Sequence, residues 1–273
     1  MAQDALSRGA VAVVTGAASG IGLAAVGALA ARGMSVIMVD IDAAKLNAEG
    51  ERIAASLGTH KVMTRETDVA DASAIAALAD AVYDRFGRVD FLMNNAAVRV
   101  AGGARDDLNE WHRTMEVNFW AAVYAERAFL PRMIEAGQPA MIVNTGSKQG
   151  ITNPPGNLIY NTTKSALKTY TEGLQHRLRN TDGCKVTAHL LIPGWTITGP
   201  HTPDPGGWQP EQVVELMIKR LEQGDFYIIC PDNEVTPQMD VKRILWAAGD
   251  MTENRPPLSR WHPDWADIFK SQA

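Results

Sequence analysis

Short apolar segments alternate with longer helical patterns along most of this chain, and that alternation limits the folds open to it. Seven apolar segments predict β-strands, at residues 10–14, 36–39, 62–67, 89–93, 141–144, 186–192 and 226–230. Helical patterns lie among them, at residues 20–32, 43–57, 72–86, 111–135, 158–180 and 211–222. Strands joined through long helical crossovers form parallel sheets whose two faces are both covered by helices. The sequence therefore predicts an α/β fold with a seven-stranded parallel sheet in one domain.

The charge balance and the cysteines exclude several classes of partner. The chain carries 26 Lys and Arg against 31 Asp and Glu, a formal net charge of −5, so it has no basic excess to neutralise nucleic-acid phosphates. Cys184 and Cys230 form no C-x-x-C pair and the histidines show no metal-binding spacing, so we expect no disulfide and no metal site. Glycines interrupt the uncharged residues 9–31, which argues against a membrane span, and Asp4 stands where a signal peptide has its basic leader, which argues against a signal peptide. We expect a cytoplasmic protein that binds neither nucleic acid nor membrane.

A glycine-rich turn joins the first predicted strand to the first predicted helix, with the sequence TGAASGIG at residues 15–22. Glycine lets the backbone bend there and lets a phosphate approach the helix N-terminus, where free N–H groups favour anions. Asp40 ends the second strand, where a carboxylate accepts hydrogen bonds from a ribose diol and repels a 2′-phosphate. The pattern predicts a dinucleotide site that prefers NAD to NADP. A plain tight turn and a surface or helix-capping charge are the alternative interpretation.

Tyr160 and Lys164 lie four residues apart in a predicted helix and therefore share one of its faces. A lysine ammonium beside a phenol stabilises the phenolate and lowers its pKa from about 10. A tyrosine with a lowered pKa can exchange protons near neutral pH. A surface pair with no chemical role is the alternative.

Taken together and in chain order, these motifs resemble the short-chain dehydrogenase/reductase family. Residues 15–22 match its T-G-x-x-x-G-I-G turn, and Pro193-Gly194 matches the P-G after the sixth strand. Asn94-Asn95-Ala96 matches N-N-A-G, except that Ala97 replaces the glycine. The resemblance covers roughly residues 8–230 and implies a single doubly wound Rossmann domain at residues 1–230. Residues 231–273 then form a C-terminal extension.

The resemblance also implies roles for individual residues. Those implied to bind NAD are Gly16, Ser19, Gly20, Ile21, Gly22, Asp40, Asp68, Val69, Asn95, Ala96, Tyr160, Lys164, Pro193, Gly194, Thr196 and Thr198. The implied catalytic residues are Asn118, Ser147, Tyr160 and Lys164. Tyr160 would exchange a proton with the substrate oxygen, which Ser147 would hydrogen-bond. Lys164 would hold the ribose hydroxyls, and Asn118 would interrupt its helix and organise a water molecule.

The implied activity is the NAD-dependent interconversion of a secondary alcohol and a ketone by hydride transfer. Two alternatives remain open: an epimerase or dehydratase on the same scaffold, and a non-catalytic NAD-binding sensor. The glycine spacing and the small extension argue against the first. The presence of Ser147, Tyr160 and Lys164 together argues against the second.

Substrate-contacting residues are expected in the loops that flank the family's substrate. The residues assigned there are Val98, Gln149, Trp195 and Trp208, with Pro154 and His201 in the same segments. Apolar and aromatic walls favour a bulky or aromatic small-molecule alcohol or ketone, although the tryptophans can equally serve to pack their loop. Lys148 either steers an acidic substrate or remains a solvated surface lysine.

Two features point to packing between parts of the chain or between subunits. Trp246, Trp261 and Trp265 lie in the extension, and such large apolar side chains favour packing onto the body or onto a neighbouring subunit. The resemblance implies a homodimer or homotetramer. The alanines at 121, 122, 125 and 128 form a small-residue face that meets either another subunit or the protein's own sheet.

Overall fold

A computed structural model describes residues 2–58, 61–99, 107–198 and 205–271. Its centre is a seven-stranded sheet in which all neighbouring strands run parallel, so the predicted α/β fold is confirmed. The strands are β1 (Val11–Thr15), β2 (Ser35–Asp40), β3 (Val62–Glu66), β4 (Phe91–Asn94), β5 (Ala140–Thr145), β6 (Val186–Ile192) and β7 (Tyr227–Ile229). They lie in the order β3-β2-β1-β4-β5-β6-β7. The chain winds outward in opposite directions from β1 and β4, which opens a crevice at their carboxyl ends.

Eleven helices are present in the described part of the chain. They are α1 (Ala2–Ala5), α2 (Gly20–Ala31), α3 (Ala43–Leu57), α4 (Ala72–Phe86), α5 (Leu108–Met115), α6 (Ala121–Glu135), α7 (Gln149–Thr152), α8 (Leu158–Arg179), α9 (Pro210–Gln223), α10 (Pro237–Thr252) and α11 (Ala266–Ser271). A π-helical segment, Glu116–Trp120, joins α5 to α6, so the single helix predicted at 111–135 is in fact three segments. A 3₁₀ turn, Ser259–Trp261, precedes α11. None of these described helices has the length and apolarity that crossing a bilayer needs.

Local sequence signals set the ends of two connecting helices. Asp42 and Asp71 cap α3 and α4, because their side chains accept hydrogen bonds from first-turn N–H groups. Gly58 and Gly87 end the same helices with φ of 57° and 68°, backbone angles that favour glycine. The predicted bounds of α3 and α4 therefore match the structure.

The sheet divides the apolar interior into two clusters. In β1, Ala12 and Val14 face one cluster, whereas Val11 and Val13 face the other, as the alternation of a strand requires. Helices α2 and α9 cover the first cluster, and α4, α6 and α8 cover the second. All five residues of β1 are buried, which is typical of a parallel sheet covered on both faces.

The small-residue face of α6 turns toward its own molecule. Ala121 and Ala125 belong to the second apolar cluster, and Ala128 packs against it. Ala122 is also buried. Of the two alternatives for this face, the structure supports packing within the chain.

The described part of the C-terminal extension folds around a tryptophan. Trp246 of α10 is buried, and its ring meets those of Trp265 and Phe269 edge-on, at centroid distances of 6.4 and 5.2 Å. Its Nε1 donates a hydrogen bond to Ser259 Oγ at 2.7 Å. Helix α10 also packs against α7, so the extension contacts the body beside the loop after β5.

Candidate functional site

Loops at the carboxyl ends of β1 to β6 enclose a cavity of about 630 Å³. Most of the residues assigned to NAD, catalysis or substrate line it. They are Gly16, Ser19, Gly20, Ile21, Asp40, Asp68, Val69, Asn95, Ala96, Val98, Ser147, Gln149, Tyr160, Lys164, Pro193, Gly194, Trp195, Thr196 and Thr198. Gly22, Asn118 and Trp208 are not among the described lining residues. His201 lies outside the described part of the chain.

One end of the cavity, which we call the glycine end, is formed by Gly16, Ser19, Gly20, Asp40 and Asp68. Gly16 has a φ of 65°, and a Cβ atom there would lie 2.8 Å from Ala96 Cα. A side chain at this position is therefore excluded by both backbone angle and space. Ser19 is the N-cap of α2, and its side chain makes no capping hydrogen bond. The first-turn N–H groups of α2 thus face the cavity, an arrangement that suits a bound phosphate.

Gly22 contributes from behind the cavity wall. A Cβ atom there would collide with Gly16 O and would lie 2.8 Å from Asn95 Nδ2. Gly22 therefore lets the first turn of α2 pack directly against the loop that precedes it.

Asp40 connects the end of β2 to the glycine turn. Its Oδ2 accepts a hydrogen bond from Ala18 N at 3.0 Å, and its Oδ1 accepts one from Asp42 N at 3.1 Å. Each carboxylate oxygen keeps a further lone pair, so the side chain can still accept from a ligand hydroxyl. Asp68, at the neighbouring strand end, is exposed, and its Oδ1 accepts from Ala70 N at 2.9 Å.

The loop after β4 is fixed against the glycine turn by Thr15 and Asn95. The Asn95 backbone N–H donates to Thr15 Oγ1 at 2.9 Å, and its Nδ2 donates to Thr15 O at 3.1 Å. Ala97, which stands where the family has glycine, is not among the described non-glycine residues with positive φ. Its methyl group is therefore accommodated without a left-handed backbone.

Tyr160 and Lys164 project from α8 toward Ser147, which follows β5. Lys164 is only 2% exposed, and its Nζ donates a hydrogen bond to Thr145 O at 2.7 Å. Its Nζ lies 5.7 Å from the centroid of the Tyr160 ring. Burial lowers the pKa of Lys164 to about 8, because the charged form loses solvation in the interior.

The pKa of Tyr160 shifts in the direction opposite to the sequence expectation. Burial raises it, and this outweighs the Arg99 charge and the hydrogen bond with Ser147, both of which lower it. Arg99 Cζ lies 5.2 Å from the centroid of the Tyr160 ring. Arg99 therefore contributes a positive charge that lowers the pKa of the phenol, but burial outweighs it and Tyr160 is protonated at neutral pH.

Asn118 lies in the π-helical segment and is 2% exposed. Its Oδ1 accepts from Val98 N at 2.8 Å, and its Nδ2 donates to Val98 O at 3.0 Å and to Thr163 Oγ1 at 3.2 Å. Its side-chain amide thus fixes the backbone of Val98, one of the expected substrate residues. The side chain of Asn118 acts here by positioning the cavity wall from behind.

Trp195 and Trp208 are separated by the structure. Trp195 is 49% exposed and lines the cavity, whereas Trp208 packs against the first apolar cluster. Two backbone hydrogen bonds hold Trp208 there: its backbone N–H donates to Trp195 O at 2.9 Å, and its backbone carbonyl accepts from Ile197 N at 3.0 Å. Of the two alternatives for Trp208, a substrate contact or packing of its loop, the structure favours packing of the loop.

Lys148 is not the solvated surface lysine of the second alternative. Its side chain is only 15% exposed, and its Nζ lies 2.8 Å from Asp240 Oδ2 and 3.5 Å from Asp232 Oδ2. Both carboxylates belong to the C-terminal extension. Lys148 therefore links the extension to the loop that carries Ser147.

The sequence analysis did not assign Arg99, Arg243, Arg260 or Trp261 to the cavity, and all four line it. We call the arginine end the part of the lining formed by Arg99, Arg243, Arg260, Trp195 and Trp261. Arg113 also lines the cavity. Single arginines in a loop, a helix and a tail share no spacing, so no sequence signal groups them. The one relevant sequence signal is the group of tryptophans in the extension, which favours packing of residues 231–273 onto the Rossmann domain or onto a neighbouring subunit.

Comparisons with known proteins agree with the fold and its motifs. The model of the short chain dehydrogenase family matches residues 10–203. A 1-deoxy-11-beta-hydroxypentalenate dehydrogenase of Streptomyces exfoliatus is 36% identical over 268 residues, which cover 92% of this chain and 93% of that protein.

Two solved structures are similar over most of the chain. A short chain dehydrogenase/reductase from Burkholderia phymatum in complex with NAD gives a TM-score of 0.83 at 30% identity, covering 92% of this chain and 96% of that one. A metagenomic short-chain oxidoreductase in complex with NADP gives a TM-score of 0.71 at 28% identity, covering 82% and 98%. Nicotinamide cofactors of both kinds thus occur among similar proteins.

Proposed function

The chain belongs to the short-chain dehydrogenase family, and from that premise we propose that it is an NAD-dependent oxidoreductase interconverting a secondary alcohol and a ketone. One observation carries the proposal. Ser147, Tyr160 and Lys164 line the same cavity as the N-terminus of α2 and Asp40, so groups for proton transfer face groups for nucleotide binding. The name of the Streptomyces exfoliatus relative, a hydroxypentalenate dehydrogenase, supports reaction at a hydroxyl-bearing carbon.

The glycine end would hold NAD. The first-turn N–H groups of α2 would bind its diphosphate, and the close approach at Gly16 leaves backbone where a side chain would block it. Asp40 would accept hydrogen bonds from the adenosine ribose and would repel a 2′-phosphate, which supports NAD as the preferred cofactor. The other residues proposed for this role are Ser19, Gly20, Ile21, Asp68, Val69, Asn95, Ala96, Lys164, Pro193, Gly194, Thr196 and Thr198.

Tyr160 would move the proton. In oxidation its Oη accepts the proton of the substrate hydroxyl, and in reduction it returns a proton to the ketone oxygen. Ser147 would hydrogen-bond that oxygen and hold it against Tyr160. The chemistry that NAD supplies when bound is hydride acceptance and return. Because burial raises the pKa of Tyr160, its proton-donating form predominates at neutral pH, and the oxidation rate should increase with pH.

Substrate contacts are proposed for Val98, Gln149 and Trp195. The Gln149 Oε1 is buried and has no hydrogen-bond partner among the described residues, so a substrate polar group can satisfy it. The half-exposed ring of Trp195 supplies an apolar wall for a bulky or aromatic substrate.

The proposal extends to the whole protein. We propose that residues 1–230 form the catalytic Rossmann unit and that residues 231–273 form its extension. We also propose that the protein assembles as a homodimer or homotetramer. Light scattering on the purified chain measures that assembly. A cytoplasmic location is favoured by the two free thiols, Cys184 and Cys230.

Cofactor titration and turnover test the proposal together. Quenching of tryptophan fluorescence should show NADH binding at least about tenfold tighter than NADPH, because Asp40 opposes the extra phosphate. A panel of bulky secondary alcohols should then reduce NAD⁺ and not NADP⁺ efficiently. Tighter NADPH binding would show that Asp40 does not select the ribose. Binding of NADH without turnover of any alcohol or ketone would instead favour a sensor.

A further inference from the structure

Arg243 and Arg260 at the arginine end form no ion pair with the carboxylates of the described residues. Lys148 takes up both nearby carboxylates, because Asp232 and Asp240 each approach its Nζ. Among the described residues, the extension's other ion pairs involve Arg255, His262 and Lys270, and neither Arg243 nor Arg260 takes part in one. Two guanidinium groups thus line a cavity without a carboxylate at ion-pair distance in the described structure, and Asp240, whose charge Arg243 also feels, is already paired with Lys148.

Arg243 is placed by the same helix that anchors the extension. It follows Asp240 by three residues in α10, so both side chains lie on one face of the helix. Asp240 is bound to Lys148, which directs that face toward the loop after β5. The Arg243 Nε is buried and has no hydrogen-bond partner in the described structure. A buried charged donor without a partner is costly, which points to a ligand that completes it.

Arg260 is held in position by a rigid turn. The Ser259 N–H and Oγ donate to Asp250 at 3.1 and 2.5 Å, and Trp246 Nε1 donates to Ser259 Oγ. The Arg260 guanidinium lies 4.6 Å from the ring centroid of Trp261 and 5.1 Å from that of Phe269. These contacts orient the guanidinium without neutralising it. A preorganised guanidinium suits paired hydrogen bonds to an oxyanion.

We propose that Arg243 and Arg260 bind an oxyanion, a carboxylate or a phosphate, carried by the substrate, so that the substrate is an anionic alcohol or ketone. This inference rests on the proposed function, since it names the substrate class of the same cavity. Burial and the charge of Arg243 together lower the pKa of Arg260 to about 10, which supports the close approach of the two cations. Arg260 therefore remains protonated at neutral pH.

The position of the arginines favours a substrate group over a cofactor group. Arg243 is linked through Asp240 to Lys148, which follows β5, whereas Asp40 ends β2 and Asp68 follows β3, and the strand order places β1 and β4 between these two groups. The phosphate-binding N-terminus of α2 also lies at the glycine end. An anion held by Arg243 and Arg260 would therefore lie in the cavity that Tyr160 also lines, on the side of the loop after β5.

Binding measurements test the inference without requiring turnover. The NADH-saturated protein is titrated with 4-acetylbenzoate, 4-acetylphenyl phosphate and neutral 4-methylacetophenone, with tryptophan fluorescence as the readout. At least one anionic ketone should bind about 10- to 100-fold tighter than the neutral one, as expected for charge-assisted hydrogen bonds. Arg243→Gln and Arg260→Gln should each remove most of that preference. Lys270→Gln, which removes an exposed cation of the same extension, should retain it.

The three ketones distinguish a carboxylate site from a phosphate site, and they also distinguish failure of the anion site from failure of the proposed reaction. Tighter binding of the benzoate assigns the site to carboxylates, and tighter binding of the phosphate ester assigns it to phosphates. Equal binding of all three ketones, unaffected by either arginine variant, would overturn the inference even if neutral alcohols are oxidised. An arginine-dependent anion preference without any turnover would leave the anion site standing and remove the proposed reaction.

Chemical modification gives a second readout that does not depend on the shape of the probe. Phenylglyoxal modifies arginines, and peptide mass spectrometry follows Arg243 and Arg260 separately, with Arg177 as an internal reference outside the cavity. Benzoate or inorganic phosphate should slow modification of Arg243 and Arg260 and leave Arg177 unchanged. Equal rates with and without both anions would contradict the proposal.

Discussion

The glycine end and the arginine end of the cavity are formed by different kinds of chemical groups. The glycine end consists of backbone N–H groups, small residues and carboxylates, with Gly16 and Gly22 packed so closely that no side chain fits. The arginine end consists of long side chains delivered by the loop after β4, by α10 and by the turn before α11. The first end is fixed by the backbone of the sheet and α2. The second depends on how separate segments pack.

The difference separates what many members of a fold share from what distinguishes one member. A backbone cradle tolerates few substitutions, because each atom of the turn touches another. Long side chains on a surface extension can change without disturbing the sheet, so they are suited to setting substrate preference. Substitutions at the glycine end should therefore destabilise the fold, whereas substitutions at the arginine end should reduce substrate selectivity.

Gly22→Ala should give the largest effect. Its new Cβ would collide with Gly16 O and press on Asn95, and neither neighbour can move without shifting β1 or the loop after β4. We expect the free energy of unfolding to fall by about 3–5 kcal/mol, measured by urea denaturation. Gly27→Ala is the matched control in the same helix, because nothing lies within 4 Å of its Cβ position. It should stabilise α2 by about 0.5–1 kcal/mol. A tolerated Gly22→Ala would show that the glycine end is not rigid.

Trp208→Ala and Trp195→Ala should sharpen the contrast within one loop. Trp208 packs against the core, so its removal should cost about 2–3 kcal/mol of stability. Trp195 is half-exposed at the cavity, so its removal should cost less than about 1 kcal/mol. Trp195→Ala should instead raise the KM of an aromatic alcohol about tenfold more than that of a small one. Thermal melts and steady-state kinetics measure both effects. Reversed outcomes would restore Trp208 as a substrate contact.

Arg99→Gln should give the smallest effect, a shift in the pH profile. Arg99 lowers the pKa of Tyr160, so removing its charge should raise that pKa further. The pH midpoint of the oxidation rate should then move upward, because the phenolate loses a stabilising positive charge. Arg99→Lys keeps the charge and should stay near the original midpoint. A downward shift would contradict the assigned role of Arg99.

The sequence predicts the glycine end well and the arginine end poorly, for physical reasons. The turn at residues 15–22, Asp40 and the Tyr160–Lys164 pair have fixed spacings because one strand–helix unit carries each of them. Arg243 and Arg260 come together only because Trp246, Ser259 and Asp250 fold the extension back on itself. That depends on tertiary packing, which no local spacing records.

Two expectations about single site residues show the same limit of sequence information. The pattern at Tyr160 and Lys164 predicts a lowered tyrosine pKa, but burial of the phenol, which sequence does not reveal, raises it. The sequence analysis places both Trp195 and Trp208 at the substrate. In the structure, a backbone bridge joins Thr196 to Trp208, and Trp195 lines the cavity whereas Trp208 packs against the core.

Turnover and NADH binding of Tyr160→Phe test the central claim most directly. The variant lacks only the Tyr160 hydroxyl, which is the group proposed to transfer the proton. It should bind NADH as the unmodified protein does, while its kcat falls by about 10²- to 10⁴-fold. Tyr170→Phe removes a hydroxyl from the same helix, one bonded to Glu126 at 2.6 Å, and should keep its turnover. Unchanged kcat in Tyr160→Phe would contradict the claim that this residue is the proton donor.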